Sequence, residues 1–131
     1  MADMMQFDLV SPERQIASSQ VSAVDLPGAE GDMTAMPGHA SVVMTLRPGI
    51  IRATEGANTS EYVVTGGFVE VNAEAVSVLA EKAFPRDGVS RSDIEAILEE
   101  ARAKVEVAEQ EHKDIGEKLV ADLVHLLEMM E

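Results

Sequence analysis

The 131-residue chain contains no cysteine and no tryptophan, and it has only three phenylalanines and one tyrosine. Without cysteine, the chain cannot form disulfides, thiolate metal sites or a cysteine nucleophile. Its aromatic side chains are too few to provide a surface on which bases or sugars would stack. The core must therefore be filled by valine, leucine, isoleucine, alanine and methionine.

Long apolar segments are also missing. No run approaches the roughly 18 apolar residues that a helix needs to cross a bilayer. The first residues, MADMMQFDLV, lack the basic region and apolar stretch of a signal peptide. We therefore expect a soluble protein.

Positive charge is scarce, since ten lysines and arginines stand against 24 aspartates and glutamates and the formal net charge is −14. Nucleic acids and anionic lipids are bound through clustered basic residues. We therefore expect no nucleic-acid partner and no direct lipid binding. A function at a membrane would require another protein to hold this chain there.

The motifs of common enzyme sites are absent as well. The chain has no phosphate-binding GxxxxGK[ST] loop, no GxGxxG and no HExxH, and its three histidines lack metal-ligand spacing. Asp32, His39 and Ser41 are the residue types of a Ser-His-Asp site, but no nucleophile-elbow motif accompanies them. We predict no catalytic residue and no metal site, and a small hydrolase using His39 and Asp32 is kept as an alternative.

Short runs rich in valine, isoleucine and threonine alternate with turn residues as far as Pro85–Gly88, where the pattern changes. This pattern predicts an all-β domain over residues 1–86, either two packed antiparallel sheets or a flattened barrel. The predicted strands are MQFDLVS, IASSQVSAVDL, SVVMTL, GIIRAT, EYVVTG, GFVEVN and AVSVLAEKAF. A hairpin around Asn72–Glu74 should bury Val69, Val71, Val76, Val78 and Ala80.

Residues 87–131 have the apolar period of helices and carry more than half of the excess negative charge. Ser92 and Glu95 fit a capping box at the start of the first helix. The polar segment QEHKDIG, which ends at Gly116, predicts the turn of an antiparallel helical hairpin, and one long bent helix is the alternative. Glu109 and Lys113 have the spacing of a stabilising pair. The apolar stripes are Ile94, Ile97, Leu98, Ala101, Val105 and Ala108, and then Ile115, Leu119, Leu123, Leu126, Leu127 and Met130.

The most distinctive stretch is LPGAEGDMTAMPGHA, residues 26–40, in which Pro-Gly turns are too dense for one regular element. With four other segments it resembles the epsilon-subunit family of bacterial F-type ATP synthases. Those segments are FDLVSPER (7–14), LRPGIIR (46–52), VVTGGFVEV (63–71) and VSVLAEKA (76–83). The resemblance covers essentially the whole chain, although Ser41 stands where the family usually has proline.

This resemblance implies a non-catalytic rotor subunit of a proton-translocating ATP synthase, without a cofactor of its own. Its ten-stranded β-sandwich would dock on the gamma subunit and the c-ring and couple them during ATP synthesis. The protein would then lie peripherally on the cytoplasmic side of the bacterial inner membrane. By position, Glu30, Gly31 and Asp32 are candidates for the c-ring contact, and His39 is a candidate for the gamma and c-ring surface.

The resemblance says less about the helices. Some family members bind ATP through an [IL]-D-x-x-R-A motif, and here Glu99 replaces the aspartate while Arg102 matches the arginine. The two are candidate nucleotide ligands or an ordinary surface pair. Helices of some members also contact the alpha and beta subunits and inhibit ATP hydrolysis. Because residues 115–131 are acidic, we expect weak or absent inhibition here. A free-standing β-sandwich ligand-binding module with a helical regulatory tail is the alternative function.

Overall fold

The computed structural model describes residues 4–108 and 110–130. It consists of two compact units, one ending at Arg86 and the other beginning at Asp87. The first unit is built from strands and the second from helices, which confirms the predicted fold class.

The described part of the chain contains ten strands and two α-helices. The strands are β1 (Met5–Val10), β2 (Gln15–Val21), β3 (Ala23–Gly28), β4 (Gly31–Ala35), β5 (Val42–Leu46), β6 (Gly49–Glu55), β7 (Asn58–Val64), β8 (Gly67–Val71), β9 (Ala75–Ala80) and β10 (Ala83–Pro85). A short 3-10 turn, Arg86–Gly88, precedes the helices α1 (Arg91–Val107) and α2 (Gln110–Met129).

The strands form one hydrogen-bonded sheet that folds over on itself. Their order is β10-β7-β6-β3-β5-β8-β9-β1-β2, and β4 pairs with β3 beside this path. Strand β2, at one end of the order, packs against β6 and β10 near the other end. The folded sheet therefore encloses a single core. The strands form one continuous hydrogen-bonded sheet, as in a barrel, but this sheet folds over on itself, as in a sandwich.

One strand pair departs from the prediction that all strands are antiparallel. Strand β1 runs parallel to β9, with Phe7 opposite Val76 and Leu9 opposite Val78. Parallel neighbours cannot be joined by a tight turn, and here most of the sandwich separates the two strands in sequence. Such a long-range pairing leaves no local pattern from which it could be read.

Alternation of side chains along the strands fills the core. In β1, Met5, Phe7 and Leu9 are buried, whereas the residues between them are half-buried. This is the two-residue period of a strand with one face on a core. Two of the chain's four aromatic residues meet there, since the rings of Phe7 and Tyr62 lie 6.0 Å apart.

The predicted hairpin around Asn72–Glu74 is confirmed. Val69 lies opposite Val78 and Val71 opposite Val76. All five predicted inward residues, including Ala80, are at most 2% exposed. The Asn72 side-chain oxygen accepts hydrogen bonds from the backbone N–H groups of Glu74 and Ala75, both at 2.9 Å, and so fixes the turn.

Two predicted strands are each divided in the structure. IASSQVSAVDL is split at Ser22, whose N–H and hydroxyl both donate to the Thr54 carbonyl. AVSVLAEKAF is split at Glu81 and Lys82, where the chain leaves β8 and pairs with β7. In both cases the strand changes its neighbour, which depends on tertiary pairing and not on local residue pattern.

The capping box of α1 lies two residues earlier than predicted. Ser90, in an extended conformation, accepts a hydrogen bond from the Asp93 N–H, and the Asp93 carboxylate accepts one from the Ser90 N–H. Ser92 and Glu95, the predicted pair, are already inside the helix. Both pairs have the required spacing, and only the backbone conformation at Ser90 selects between them.

The antiparallel helical hairpin is confirmed, but its turn is not at QEHKDIG. Helix α1 ends where Ala108 takes up an extended conformation, and α2 begins at Gln110, so the alternative of one long helix is wrong. Gly116 lies inside α2, where an added Cβ would be 2.7 Å from Val105 Cγ2. The glycine therefore allows close approach of the two helices instead of forming a turn. Glu109 lies outside the described residues, so its pair with Lys113 stays a prediction.

The apolar stripes are buried at their centres. Helix α1 contributes Ile94, Leu98 and Ala101 to the contact, and α2 contributes Leu123, Leu126 and Leu127. Ile115 was predicted to belong to the second stripe but is 73% exposed.

At the open end of the hairpin, an Arg91 guanidinium N–H donates to the Leu127 carbonyl at 2.7 Å. This hydrogen bond ties the first turn of α1 to the end of α2.

Candidate functional site

The Pro-Gly-rich stretch forms a β-hairpin whose second strand, β4, was not predicted. Pro27 lies opposite Asp32 and Gly28 opposite Gly31, so that Ala29 and Glu30 form the two-residue tip. Gly31 has φ of +147°, a backbone conformation that residues other than glycine rarely adopt. We call residues 28–32 the docking turn, because they include three of the four interface candidates.

A single arginine holds the docking turn. The Arg47 guanidinium donates to the Gly28 carbonyl and to the Asp32 carboxylate. The backbone N–H of Arg47 also donates to the Pro27 carbonyl, at 3.0 Å. The Arg47 side chain is only 20% exposed, whereas that of Asp32 is 77% exposed. Arg47 therefore supplies a fixed anchor for an otherwise exposed carboxylate.

Close packing at the base of the hairpin adds to this restraint. An added Cβ at Gly49 would lie 2.6 Å from Pro27 Cβ, so the proline ring packs directly on the glycine backbone. The Ala29 N–H donates to the Thr45 carbonyl at 2.8 Å. The β3–β4 hairpin is thus joined to the end of β5 and the start of β6 by both hydrogen bonds and packing.

Glu30 differs from Asp32 in its surroundings. It is exposed at the tip of the turn, and its side chain has no partner among the residues that the structure describes. Beside it, the docking turn and β5 enclose a groove of about 560 Å³. Val42 and Val43 line this groove, and Val43 is 70% exposed. A carboxylate at the rim of an exposed apolar strip can meet a partner that carries both a donor and apolar surface.

His39 is not brought together with the other three candidates. The docking turn lies beside Leu46 at the end of β5, whereas Gly38 donates to the Ala73 carbonyl beside the start of β5. The length of β5, about 13 Å at ~3.3 Å per residue, separates the two places. His39 is half-buried, and its Nδ1 lies 2.6 Å from the Ala40 carbonyl oxygen.

The same separation bears on the hydrolase alternative. Asp32 pairs with Arg47 at one end of β5, and His39 faces its neighbour's carbonyl at the other. A Ser-His-Asp site needs the carboxylate to orient the imidazole through a direct hydrogen bond. The hydrolase alternative is therefore wrong.

Glu99 and Arg102, the nucleotide candidates, lie together on the outer surface of α1. The Arg102 guanidinium donates to Glu99 Oε1 at 3.0 Å, and the side chains are 50% and 70% exposed for Arg102 and Glu99 respectively. This is the geometry of a helix-surface ion pair. The nucleotide role stays a prediction.

Residues 4–108 and 110–130 show no sign of two other kinds of site. Within them, no group of three or more histidine, aspartate or glutamate side chains is placed to hold a metal ion. In the same ranges, no helix combines the length and the apolar character needed to cross a bilayer.

Arg47 is the residue of this site that sequence reasoning did not single out. Its only sequence signal is that it is one of few cations and stands next to a Pro-Gly turn. Nothing local indicates that Pro48–Gly49 packs on Pro27, because that contact joins segments about 20 residues apart.

Comparison with known proteins agrees with this architecture. Residues 4–86 match the family model described as ATP synthase, Delta/Epsilon chain, beta-sandwich domain. The ATP synthase epsilon chain of Ruegeria sp. (strain TM1040) is 52% identical, over 100% of this chain and 94% of the relative. That of Paracoccus denitrificans (strain Pd 1222) is 49% identical, over 100% of this chain and 88% of the relative.

Solved structures show the same fold. A chain in the Euglena gracilis mitochondrial ATP synthase, described with OSCP, F1 and c-ring, superposes with a TM-score of 0.74 at 28% identity. The match covers 96% of this chain and 80% of the Euglena chain. A chain from the central stalk and c-ring of the Tetrahymena thermophila enzyme has a TM-score of 0.68 at 17% identity, which supports the fold alone.

Proposed function

This chain belongs to the ATP synthase delta/epsilon family, and we propose that it is the non-catalytic central-stalk subunit that couples gamma to the c-ring during ATP synthesis. One observation carries the proposal: about half of the residues are identical to those of curated epsilon chains over the whole length. This assignment replaces the alternative of a free-standing ligand-binding module.

The architecture supports a coupling role. A folded sheet around one packed core deforms little, because most of its strands are hydrogen-bonded to two neighbours. A stiff body can pass rotation from one partner to the next. The docking turn is the proposed c-ring contact, and the region around His39, at the other end of β5, is proposed to lie close to the surface shared by gamma and the c-ring.

We propose that the protein lies on the cytoplasmic side of the bacterial inner membrane, held there by its partners. Its net charge of −14 opposes direct adsorption on anionic lipid, which is why the attachment is assigned to partners. The partner subunits supply the membrane attachment.

Reconstitution tests the central proposal. Membranes carrying the ATP synthase are depleted of this subunit, and the full chain is added back. We expect recovery of ATP-driven proton pumping and co-sedimentation of the chain with the enzyme. The unrelated acidic β-sandwich of another protein serves as the control for non-specific adsorption. A chain that stays in the supernatant and restores no pumping would refute the proposal.

We further propose that the helical unit regulates only weakly, through contacts with the alpha and beta subunits. The residues of α2 that face outward include Glu117 and Glu128, with Lys118 as a nearby cation. Like charges would oppose insertion of such a helix beside acidic segments of the catalytic subunits.

Truncation measures this regulation. A chain ending at Asp87 should bind the enzyme as the full chain does and should change ATP hydrolysis by less than about twofold, because repulsion prevents a tight inhibitory contact. The full chain, added to the same depleted membranes, is the reference. A severalfold increase in hydrolysis on truncation would show strong inhibition by the helices.

A further inference from the structure

Resting on the proposed function above, we propose that Arg47 is a positioning residue for the c-ring contact. It uses the Asp32 carboxylate to hold the docking turn and leaves Glu30 as the carboxylate that meets the ring. Two acidic residues that look equivalent in the sequence thereby have different roles.

The hairpin needs such a restraint because β4 is an edge strand. It pairs only with β3 and lies outside the main strand order. Short edge strands with one neighbour are held by few hydrogen bonds and open more readily than central strands. Without a further tether, the tip at Ala29 and Glu30 would move with β4.

Arg47, which lies in the connection between β5 and β6, supplies that tether. Its guanidinium spans the turn, since it contacts Gly28 on the β3 side and Asp32 on the β4 side. The Arg47 side chain is only 20% exposed, so its guanidinium is held within the fold where it meets both partners. Charge-assisted hydrogen bonds from a fixed guanidinium are among the stronger polar contacts available to an exposed carboxylate.

Glu30 is left free for a partner. Its side chain is exposed at the tip and makes no hydrogen bond or ion pair within the described part of the chain. It stands at the rim of the groove that Val42 and Val43 line. A ring loop with a basic or amide donor could therefore pair with Glu30 while its apolar atoms cover the exposed Val43.

The first measurement is amide hydrogen exchange in the isolated full chain. The probe is the Ala29 N–H, which donates to the Thr45 carbonyl. Arg47→Met and Asp32→Asn should each speed its exchange by about tenfold, because both release the tether. Glu30→Gln is the matched control: it removes a carboxylate of the same turn and should leave this exchange unchanged.

The second measurement is the concentration of chain that restores half of the proton pumping in depleted membranes. Glu30→Gln should raise it by about tenfold and reduce its dependence on salt, since an exposed charge contact is lost. Arg47→Met should raise it similarly, and Arg47→Lys should recover part of the loss. Arg47→Met combined with Asp32→Asn should be no worse than Arg47→Met alone, because both act through one contact.

Other outcomes would overturn the assignment. If Asp32→Asn weakens reconstitution while Ala29 exchange is unchanged, Asp32 itself contacts the ring. If Glu30→Gln reconstitutes like the unmodified chain, Glu30 is not the contact. Should Arg47→Met fail to fold, Asp32→Asn carries the exchange test. Failure of the unmodified chain to reconstitute is a different result, since it would refute the proposed function instead.

Discussion

Gly67→Ala should lower the free energy of unfolding of the sandwich by more than about 4 kcal/mol, a large part of the roughly 5–15 kcal/mol by which an ordinary domain is stable. An added Cβ would lie 2.3 Å from the Leu79 carbonyl oxygen and 2.8 Å from the Ala80 Cα. Both are backbone atoms of the neighbouring strand, so the β8–β9 pairing itself must separate to make room. Gly67 also has φ of +145°, which adds conformational strain for any other residue.

Gly31→Ala is the matched control for this substitution. Gly31 has nearly the same backbone angle, φ of +147°, but an added Cβ there would meet nothing within 4 Å. It should therefore cost only the strain, about 1–3 kcal/mol. Urea unfolding followed by far-ultraviolet circular dichroism measures both variants. Equal losses would mean that the contact with Leu79 is relieved without disturbing the sheet.

Phe7→Ala should cost about 3–5 kcal/mol, the range seen when a large buried side chain is removed from a core. Phe7 is fully buried in the middle of β1, and its ring packs beside Tyr62. Phe7 in β1 and Tyr62 in β7 belong to strands near opposite ends of the sheet order, so a cavity there lies where the folded sheet meets itself. The surrounding strands can collapse only partly, because each is held by its own hydrogen bonds.

Phe68→Ala separates this cavity effect from the loss of an aromatic residue as such. Phe68 is also on a central strand, but its side chain is 59% exposed on the outer face. We expect a change of less than about 0.5 kcal/mol in the isolated chain. The difference between the two variants in a chemical denaturation series is the measurement. A large loss for Phe68 would show that the outer face contributes to stability without any partner.

Helix positions and most strands follow from local patterns, because a strand buries every second residue and a helix every third or fourth. The inward valines of the β8–β9 hairpin are a clear case, since period-two spacing and the Asn72 turn specify the pairing. The errors have local causes too. Two capping boxes with equal spacing compete at Ser90 and Ser92, and only the backbone conformation decides between them.

Features that depend on distant contacts were not predictable in this way. The parallel pairing of β1 with β9 and the split at Ser22 both depend on which strand becomes the neighbour. The helical turn is a similar case. Gly116 looked like a breaker, but its role is set by Val105 of the facing helix.

The candidate site shows the same contrast between features set by local pattern and features set by distant contacts. Composition, periodicity and motifs are enough to predict the class of fold, the acidic character of the chain and the family resemblance. They also single out Glu30, Gly31, Asp32 and His39 as candidates. The distance of a strand's length between His39 and the other three candidates, and the pairing of Arg47 with Asp32, arise only from the folded chain. The physical reason is that spacing along the chain encodes periodic local structure. The partner of an exposed side chain is instead chosen by segments that folding brings together from elsewhere.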